Sequence, residues 1–125
     1  MPASARSPDE VKLVLVLRSD LGLSVGKTAV QAAHGAVMAA ELARRSRSEV
    51  FARWLAAGQK KIAVAVPDLA ALEELARAAR ARKLPAVTVE DAGLTEVAPG
   101  TVTCLALGPA TGREVDPVTG SLPLL

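Results

Sequence analysis

Runs of branched apolar residues alternate along the chain with segments that repeat apolar residues at helical spacing. Two runs, Val11–Leu17 and Ile62–Val66, are apolar almost throughout, which is typical of strands buried on both faces of a sheet. Shorter strands are predicted at Ala86–Val89 and Thr101–Leu107. Strands that alternate with helices predict an α/β fold, because parallel neighbouring strands need long crossover connections.

Three segments between these strands have the spacing of amphipathic helices. The first begins after Ser24, a residue type that caps helix N-termini, and continues to about Arg45. A short second helix is expected between Ser48 and Gly58. A third is expected after Asp68, with apolar residues at helical spacing at Leu69, Leu72, Leu75, Ala76 and Ala79. The elements together predict a three-layer α/β/α domain with a mixed, mostly parallel four-stranded sheet.

The two ends of the chain have a different character from its middle. Residues 1–10 are rich in proline, serine and charge, and they are interpreted as a flexible leader before a single domain that spans residues 11–125. Residues 90–100 form a loop without helical period, so the last strand is expected to run antiparallel to its neighbour. The tail after Pro109 is turn-rich, and Leu122–Leu125 is interpreted as a cover for one edge of the sheet.

The composition excludes several classes of protein. Aromatic residues make up 2% of the chain, which is too few for the stacking platforms that bind single-stranded RNA, although a net charge of +2 permits contacts with phosphates. A single cysteine, Cys104, excludes an internal disulfide, and it is expected to pack as a small apolar residue rather than act as a nucleophile. No membrane span or signal peptide is found, which predicts a cytoplasmic location.

One helical face carries a line of polar residues with chemical potential. Lys27, Gln31 and His34 lie four and seven residues apart, and these offsets return to nearly the same side of an α-helix. A single histidine on a helix is more often structural than catalytic, and Asp91 with the glycine at position 93 is also common turn chemistry. However, the strand ends place Asp91 and the start of this helix at one edge of the sheet. A histidine, a carboxylate, a lysine and the hydroxyl of Thr95 are sufficient for hydrolysis by water.

The segment Gly22–Thr28 resembles a phosphate-binding P-loop but lacks its spacing. Three residues, rather than four, separate the first glycine from the Gly-Lys-Thr end. A shorter loop changes the nest of amides that surrounds the phosphates, so a nucleotide triphosphatase is disfavoured. Lys27 still lies near a helix N-terminus, where an anion is favoured.

A set of motifs resembles the second, archaeal and eukaryotic type of peptidyl-tRNA hydrolase. The similarity extends from about Lys12 to Leu125, and its most specific part is the loop Asp-Ala-Gly-x-Thr-x-x-x-Pro-Gly-Thr at residues 91–101. The same chain carries Gly-Lys-x-x-x-Gln-x-x-His on the first helix. The other matching segments are residues 16–21, 54–61, 108–109 and 118–125. Pro123 departs from the family pattern, in which a lysine or a similar residue is usual.

The resemblance implies a compact α/β/α domain, often a homodimer, that cleaves the ester between peptide and tRNA without a metal or cofactor. The functional positions of the family then fall on Lys27, Gln31, His34, Asp91 and Thr95, with Thr103 as a neighbour that contacts the substrate.

We hypothesise that Asp91, alone or with His34, activates a water, and the choice of base between them is open. Lys27 would stabilise the oxyanion or bind the terminal phosphate, while Gln31 and Thr95 align water and carbonyl. The tRNA phosphates are expected to contact Arg18, Lys60 and Lys61. The alternatives are a non-catalytic module that binds tRNA or an acyl-nucleotide, and a general esterase or amidase.

Overall fold

Four strands and four helices form the part of the chain that the computed structural model describes, which is residues 7–93 and 96–125. In chain order they are β1 (Val11–Arg18), α1 (Val25–Ser46), α2 (Ser48–Ala56), β2 (Lys61–Val66), α3 (Leu69–Ala81), β3 (Ala86–Glu90), β4 (Val102–Thr111) and α4 (Gly112–Thr119). The predicted strands and the first three predicted helices are therefore confirmed, with ends that differ by a few residues.

The strands form one mixed sheet in the order β2-β1-β4-β3. β1 is parallel to β2, and β4 is antiparallel to both β1 and β3. Three strands therefore share one direction, as expected, but β4 lies between two of them and leaves one parallel pair. The prediction of a mixed four-stranded α/β sheet is confirmed, and so is the antiparallel last strand, which follows from the short loop before it. By pairing, however, the sheet is mostly antiparallel rather than mostly parallel, because β4 lies between β1 and β3.

Helices cover both faces of the sheet. Leu13, Leu15 and Leu17 of β1 pack on the face that carries α1 and α2, together with Trp54. The alternate residues of β1 face α3 and α4, where the core contains Leu72, Ala76, Val115 and Val118. This alternation is the period of two that a strand imposes on its side chains, and it confirms the three layers.

The first helix lies very close to β4. A Cβ added at Gly35 would lie 3.1 Å from the Sγ of Cys104 and 3.4 Å from the Cβ of Ala106, so a side chain here would push α1 and β4 slightly apart. Burial raises the pKa of the Cys104 thiol to about 12, because the charged form is poorly solvated there. Cys104 is fully buried, which confirms its prediction as an apolar packing residue.

The C-terminal tail contains a helix that the turn-rich sequence did not predict. Thr111 and Glu114 form a capping box at the start of α4, and Pro117 lies inside the helix. The expectation of turns throughout this tail is therefore wrong, because the capping box outweighs the glycine and proline signals. Beyond α4, the N–H of Leu125 donates to the carbonyl of Ala63, so the predicted cover of a sheet edge is confirmed, and the covered edge is that of β2.

At the other end of the chain, the described part of the predicted leader contacts α4. The N–H groups of Gly112 and Arg113 donate to the carbonyls of Glu10 and Pro8. Residues 1–6 lie outside the described residues, and the flexibility of the leader stays a prediction. Across the described ranges, no helix has both the length and the apolar character needed to cross a bilayer.

Candidate active site

An ion pair between Lys27 and Asp91 joins α1 to the loop that follows β3. The Nζ atom of Lys27 lies 2.6 Å from Oδ1 of Asp91. The Asp91 side chain is 3% exposed, whereas that of Lys27 is 15% exposed, so the ammonium is the partner that reaches solvent. The structure therefore brings together, at the carboxyl ends of the strands, the two charged groups that the sequence predicted there.

The backbone around Asp91 holds its carboxylate in place. The N–H of Asp91 donates to the carbonyl of Thr101, and the N–H of Gly93 donates to Oδ2 of Asp91 at 2.7 Å. Gly93 has a φ of +78°, and a Cβ there would lie 2.4 Å from Pro99, so only glycine fits. The segment thus forms the turn that the sequence allowed, and this turn holds the Asp91 carboxylate at its position beside Lys27.

Gln31 extends the site into the core of the protein. Its Nε2 donates to Oδ1 of Asp91 at 3.3 Å, and its Oε1 accepts from the hydroxyl of Thr103. Because an ionised carboxylate only accepts hydrogen bonds, the amide nitrogen must face Asp91 and the amide oxygen must face Thr103. Gln31 and Thr103 are 2% and 1% exposed, so this chain of hydrogen bonds is sealed from solvent.

The partners of Asp91 favour its charged form. The hydrogen bond from Lys27, followed by the one from Gly93, holds the pKa of Asp91 below its usual value, and a positive charge on His34 acts in the same direction. Three donors occupy three of about four acceptor positions on the carboxylate. Asp91 is therefore a weak proton acceptor with room for one more donor, such as a water.

His34 lies on the exposed side of α1, about one helical turn beyond Gln31. No hydrogen bond or ion pair of its side chain is found within the described ranges, and its charge acts on Asp91. The imidazole is therefore accessible to a substrate.

Glu96 is a residue that the sequence analysis missed. Its carboxylate accepts from both the N–H and the hydroxyl of Ser24, at 2.8 and 2.6 Å. These hydrogen bonds lower the pKa of Glu96. Ser24 in turn accepts from the N–H of Lys27 as the predicted N-cap of α1. Glu96 therefore ties the loop of Asp91 to the helix of Lys27, and the preference of helix N-termini for carboxylates was the available signal.

The other predicted site residues are more distant or have internal partners. Arg18 forms an ion pair with Asp20 at 2.7 Å and donates to the carbonyl of Val102. Lys60 pairs with Glu10, and the ammonium of Lys61 lies 5.0 Å from the centre of the Trp54 ring.

Lys60 and Lys61 lie at the opposite end of the sheet from Asp91. Lys61 is aligned with Leu13 near the start of β1, whereas Arg18 ends that strand. Thr95 lies outside the described residues. Within the described ranges, no cluster of three or more histidine, cysteine, aspartate or glutamate residues suited to a metal ion is found.

Comparison with known proteins gives one family. Residues 11–125 match the family described as "Peptidyl-tRNA hydrolase PTH2". A protein named "Peptidyl-tRNA hydrolase" from Thermococcus onnurineus is 49% identical over 91% of this chain and 97% of its own length. A protein of the same name from Methanopyrus kandleri is 50% identical over the same shares, and one from Staphylothermus marinus is 44% identical over 93% and 96%.

Proposed function

The chain belongs to the peptidyl-tRNA hydrolase PTH2 family, and from this premise we propose how its side chains carry out the reaction. The protein is an enzyme that hydrolyses the ester between peptide and tRNA in peptidyl-tRNA. The observation that supports the proposed mechanism is the ion pair of Lys27 with Asp91, at 2.6 Å, which involves the helix that also carries the exposed His34.

Lys27 supplies positive charge where negative charge develops. When water attacks the ester, the carbonyl oxygen becomes an oxyanion, and a fixed ammonium stabilises that oxyanion more than the neutral carbonyl. The ion pair with Asp91 fixes the direction of the ammonium, and the exposed fraction of Lys27 leaves room for the substrate oxygen.

His34 is the proposed proton acceptor, because the donors around Asp91 make its carboxylate a weak base. Water loses a proton to the imidazole as its oxygen bonds to the carbonyl carbon. The tetrahedral intermediate then expels the terminal ribose oxygen, which takes that proton from the imidazolium. The products are a peptide with a free carboxyl group, tRNA with a free ribose hydroxyl and a neutral histidine. Asp91 orients the water through its remaining acceptor position.

Gln31 and Thr103 are proposed as positioning residues. Both are buried, which favours a role through Asp91 over the substrate contact expected for Thr103 and the alignment of water and carbonyl expected for Gln31. Their hydrogen bonds hold Asp91 from the core side. Thr95 keeps its proposed role of holding water or carbonyl, on the resemblance alone.

Contacts to tRNA phosphates by Arg18, Lys60 and Lys61 remain part of the proposal. Lys60 and Lys61 lie about 17 Å from the strand ends at the site, estimated from five residues of strand. For the same tRNA to contact both Lys60 and the active site, it must extend along the sheet. Because these contacts are to phosphates, tRNA binding is expected to weaken steeply as the salt concentration rises. A homodimer and a cytoplasmic location are also proposed, because the family resemblance implies the first and the substrate arises where proteins are made.

The test is release of free tRNA from N-acetyl-aminoacyl-tRNA labelled in the acyl group. We expect the unmodified protein to release tRNA and label, and Lys27→Ala to bind the substrate without release. Protection of the ester by the unmodified protein indicates the binding module instead. Rapid cleavage of small N-acyl esters that lack tRNA indicates a general esterase.

A further inference from the structure

The two outermost strands of the sheet, β2 and β3, differ in whether their outer edges are covered. The edge of β2 is covered, since Leu125 and Pro123 exchange backbone hydrogen bonds with Ala63 and Ala65. The outer edge of β3 has no such backbone partner within the described ranges. Unpaired strand edges readily bind extended peptides, and proteins usually protect them. Asp91 is the residue that directly follows β3, so the open edge of β3 leads to the candidate site.

The pairing of β3 shows which backbone groups are open. The carbonyl of Pro85 accepts from the N–H of Gly108, so this residue directs its backbone groups towards β4. Backbone direction alternates along a strand, and Ala86 and Thr88 therefore present their N–H and C=O groups away from β4. An extended peptide has the complementary groups at the same spacing.

A groove lies on each side of this edge. On the α1 side, Val87 faces Val37, Met38 and Leu42 across about 380 Å³. Val37 is 70% exposed and Met38 42% exposed, which is unusual for neighbouring large apolar residues on a helix that packs on a sheet.

The second groove lies on the α3 side and has a volume of about 270 Å³. It is lined by Thr88 together with Leu72, Ala76 and the arginines Arg77 and Arg80. Successive side chains of an added strand point to opposite faces, so they would enter the two grooves in turn.

We infer that the peptide part of peptidyl-tRNA binds as an added strand along the open edge of β3, an inference that rests on the proposed function. The argument is continuity with the reactive site. The ester lies at the C-terminal end of the peptide, and Asp91 lies at the C-terminal end of β3, so the peptide runs parallel to β3. The five residues of β3 are about 17 Å long and match four or five peptide residues.

This mode of binding suits an enzyme that accepts many peptides. Main-chain hydrogen bonds supply affinity without reading side chains, and the two partly apolar grooves accept side chains of varied size. Val37 and Met38 follow His34 along α1 by three and four residues, so the groove on the α1 side lies next to the proposed active site. The exposed apolar residues of α1 thereby gain a function.

The experiment compares two substrates that differ only in peptide length. One is N-acetyl-aminoacyl-tRNA, and the other is a pentapeptidyl-tRNA with the same terminal amino acid and the same tRNA. For the unmodified enzyme we expect a KM about tenfold lower for the longer substrate, with similar kcat. Thr88→Pro removes one outward N–H and should abolish most of this difference, whereas the matched control Thr88→Val keeps it.

A second variant tests the groove without altering the backbone. The double change Val37→Asn and Met38→Gln is expected to raise KM for the pentapeptidyl substrate only, and Leu55→Gln, at an exposed apolar residue of α2, is the control. The double variant serves as the test if Thr88→Pro does not fold.

Equal KM values for the two substrates with the unmodified enzyme overturn the inference while leaving the proposed function intact. A loss that is equal on both substrates in the groove variant also overturns it. If a variant changes the sedimentation of the protein and peptide length has no effect on KM, the edge of β3 binds a second copy of the chain. That result also overturns the inference. Failure to hydrolyse either substrate contradicts the proposed function itself and the inference with it.

Discussion

The ammonium of Lys27 lies 2.6 Å from the carboxylate of Asp91, although the two residues are 64 positions apart in the sequence. The pair joins α1 to the loop after β3. Each partner needs the other, because Asp91 directs the ammonium and Lys27 keeps the carboxylate charged.

Removal of either partner is expected to lower kcat while the protein still folds. Lys27→Ala loses the charge that faces the oxyanion, and kcat should fall about 100-fold to 1,000-fold. Asp91→Asn keeps the shape but releases the ammonium, and a fall of about 100-fold is expected. Single-turnover kinetics and thermal unfolding measure the two effects. Unchanged turnover in Asp91→Asn contradicts the mechanism.

Loss of the Thr103 hydroxyl is expected to reduce both stability and kcat. Thr103→Val leaves the buried Oε1 of Gln31 without its donor, which costs about 1–3 kcal/mol of unfolding free energy. Thr103→Ser retains the hydroxyl and is the matched control. Denaturant unfolding gives the stability, and kcat should fall with little change of KM because Thr103 does not reach the substrate. A raised KM at constant kcat favours direct substrate contact instead.

The tether between Glu96 and Ser24 is expected to affect kcat through the position of the loop. Glu96→Ala removes both hydrogen bonds to Ser24, and we expect kcat to fall about tenfold. Glu96→Gln retains an acceptor for the N–H of Ser24 and should recover most of that loss. If the glutamine variant is as slow as the alanine variant, the charge of Glu96 rather than its geometry is responsible.

The dependence of the rate on pH distinguishes His34 from Asp91 as the base. The donors around Asp91 lower its pKa, so this carboxylate is ionised above about pH 5, and its contribution to stability disappears only as pH falls below its ordinary value of about 3.9. A fall of kcat between pH 8 and pH 5 therefore belongs to a group other than Asp91, and the His34 variant tests whether that group is the proposed base. His34→Asn should lower kcat and flatten this part of the profile, and a variant that keeps the slope excludes His34.

The sequence was most informative where the candidate residues lie on one local element. Lys27, Gln31 and His34 share α1, so their spacing follows from helical geometry alone, although Gln31 faces the core and His34 lies on the exposed side. The capping of α1 by Ser24 was equally local. Asp91 was placed correctly because the carboxyl ends of strands meet at one edge of an α/β sheet.

The features that were missed depend on contacts between distant segments. The hydrogen bonds of Glu96 to Ser24, and of Thr103 to Gln31, require the tertiary structure before the partners are known. Lys60 and Lys61 are a different case, since residues at the start of β2 had to lie at the opposite end of the sheet from the carboxyl ends of the strands. The sequence already contained that information.

The C-terminal residues that pair with β2 have a practical consequence for work with this protein. A shortened chain that ends before Pro123 would expose a second row of free backbone groups, and two such surfaces on one molecule allow stacking into open-ended fibrils.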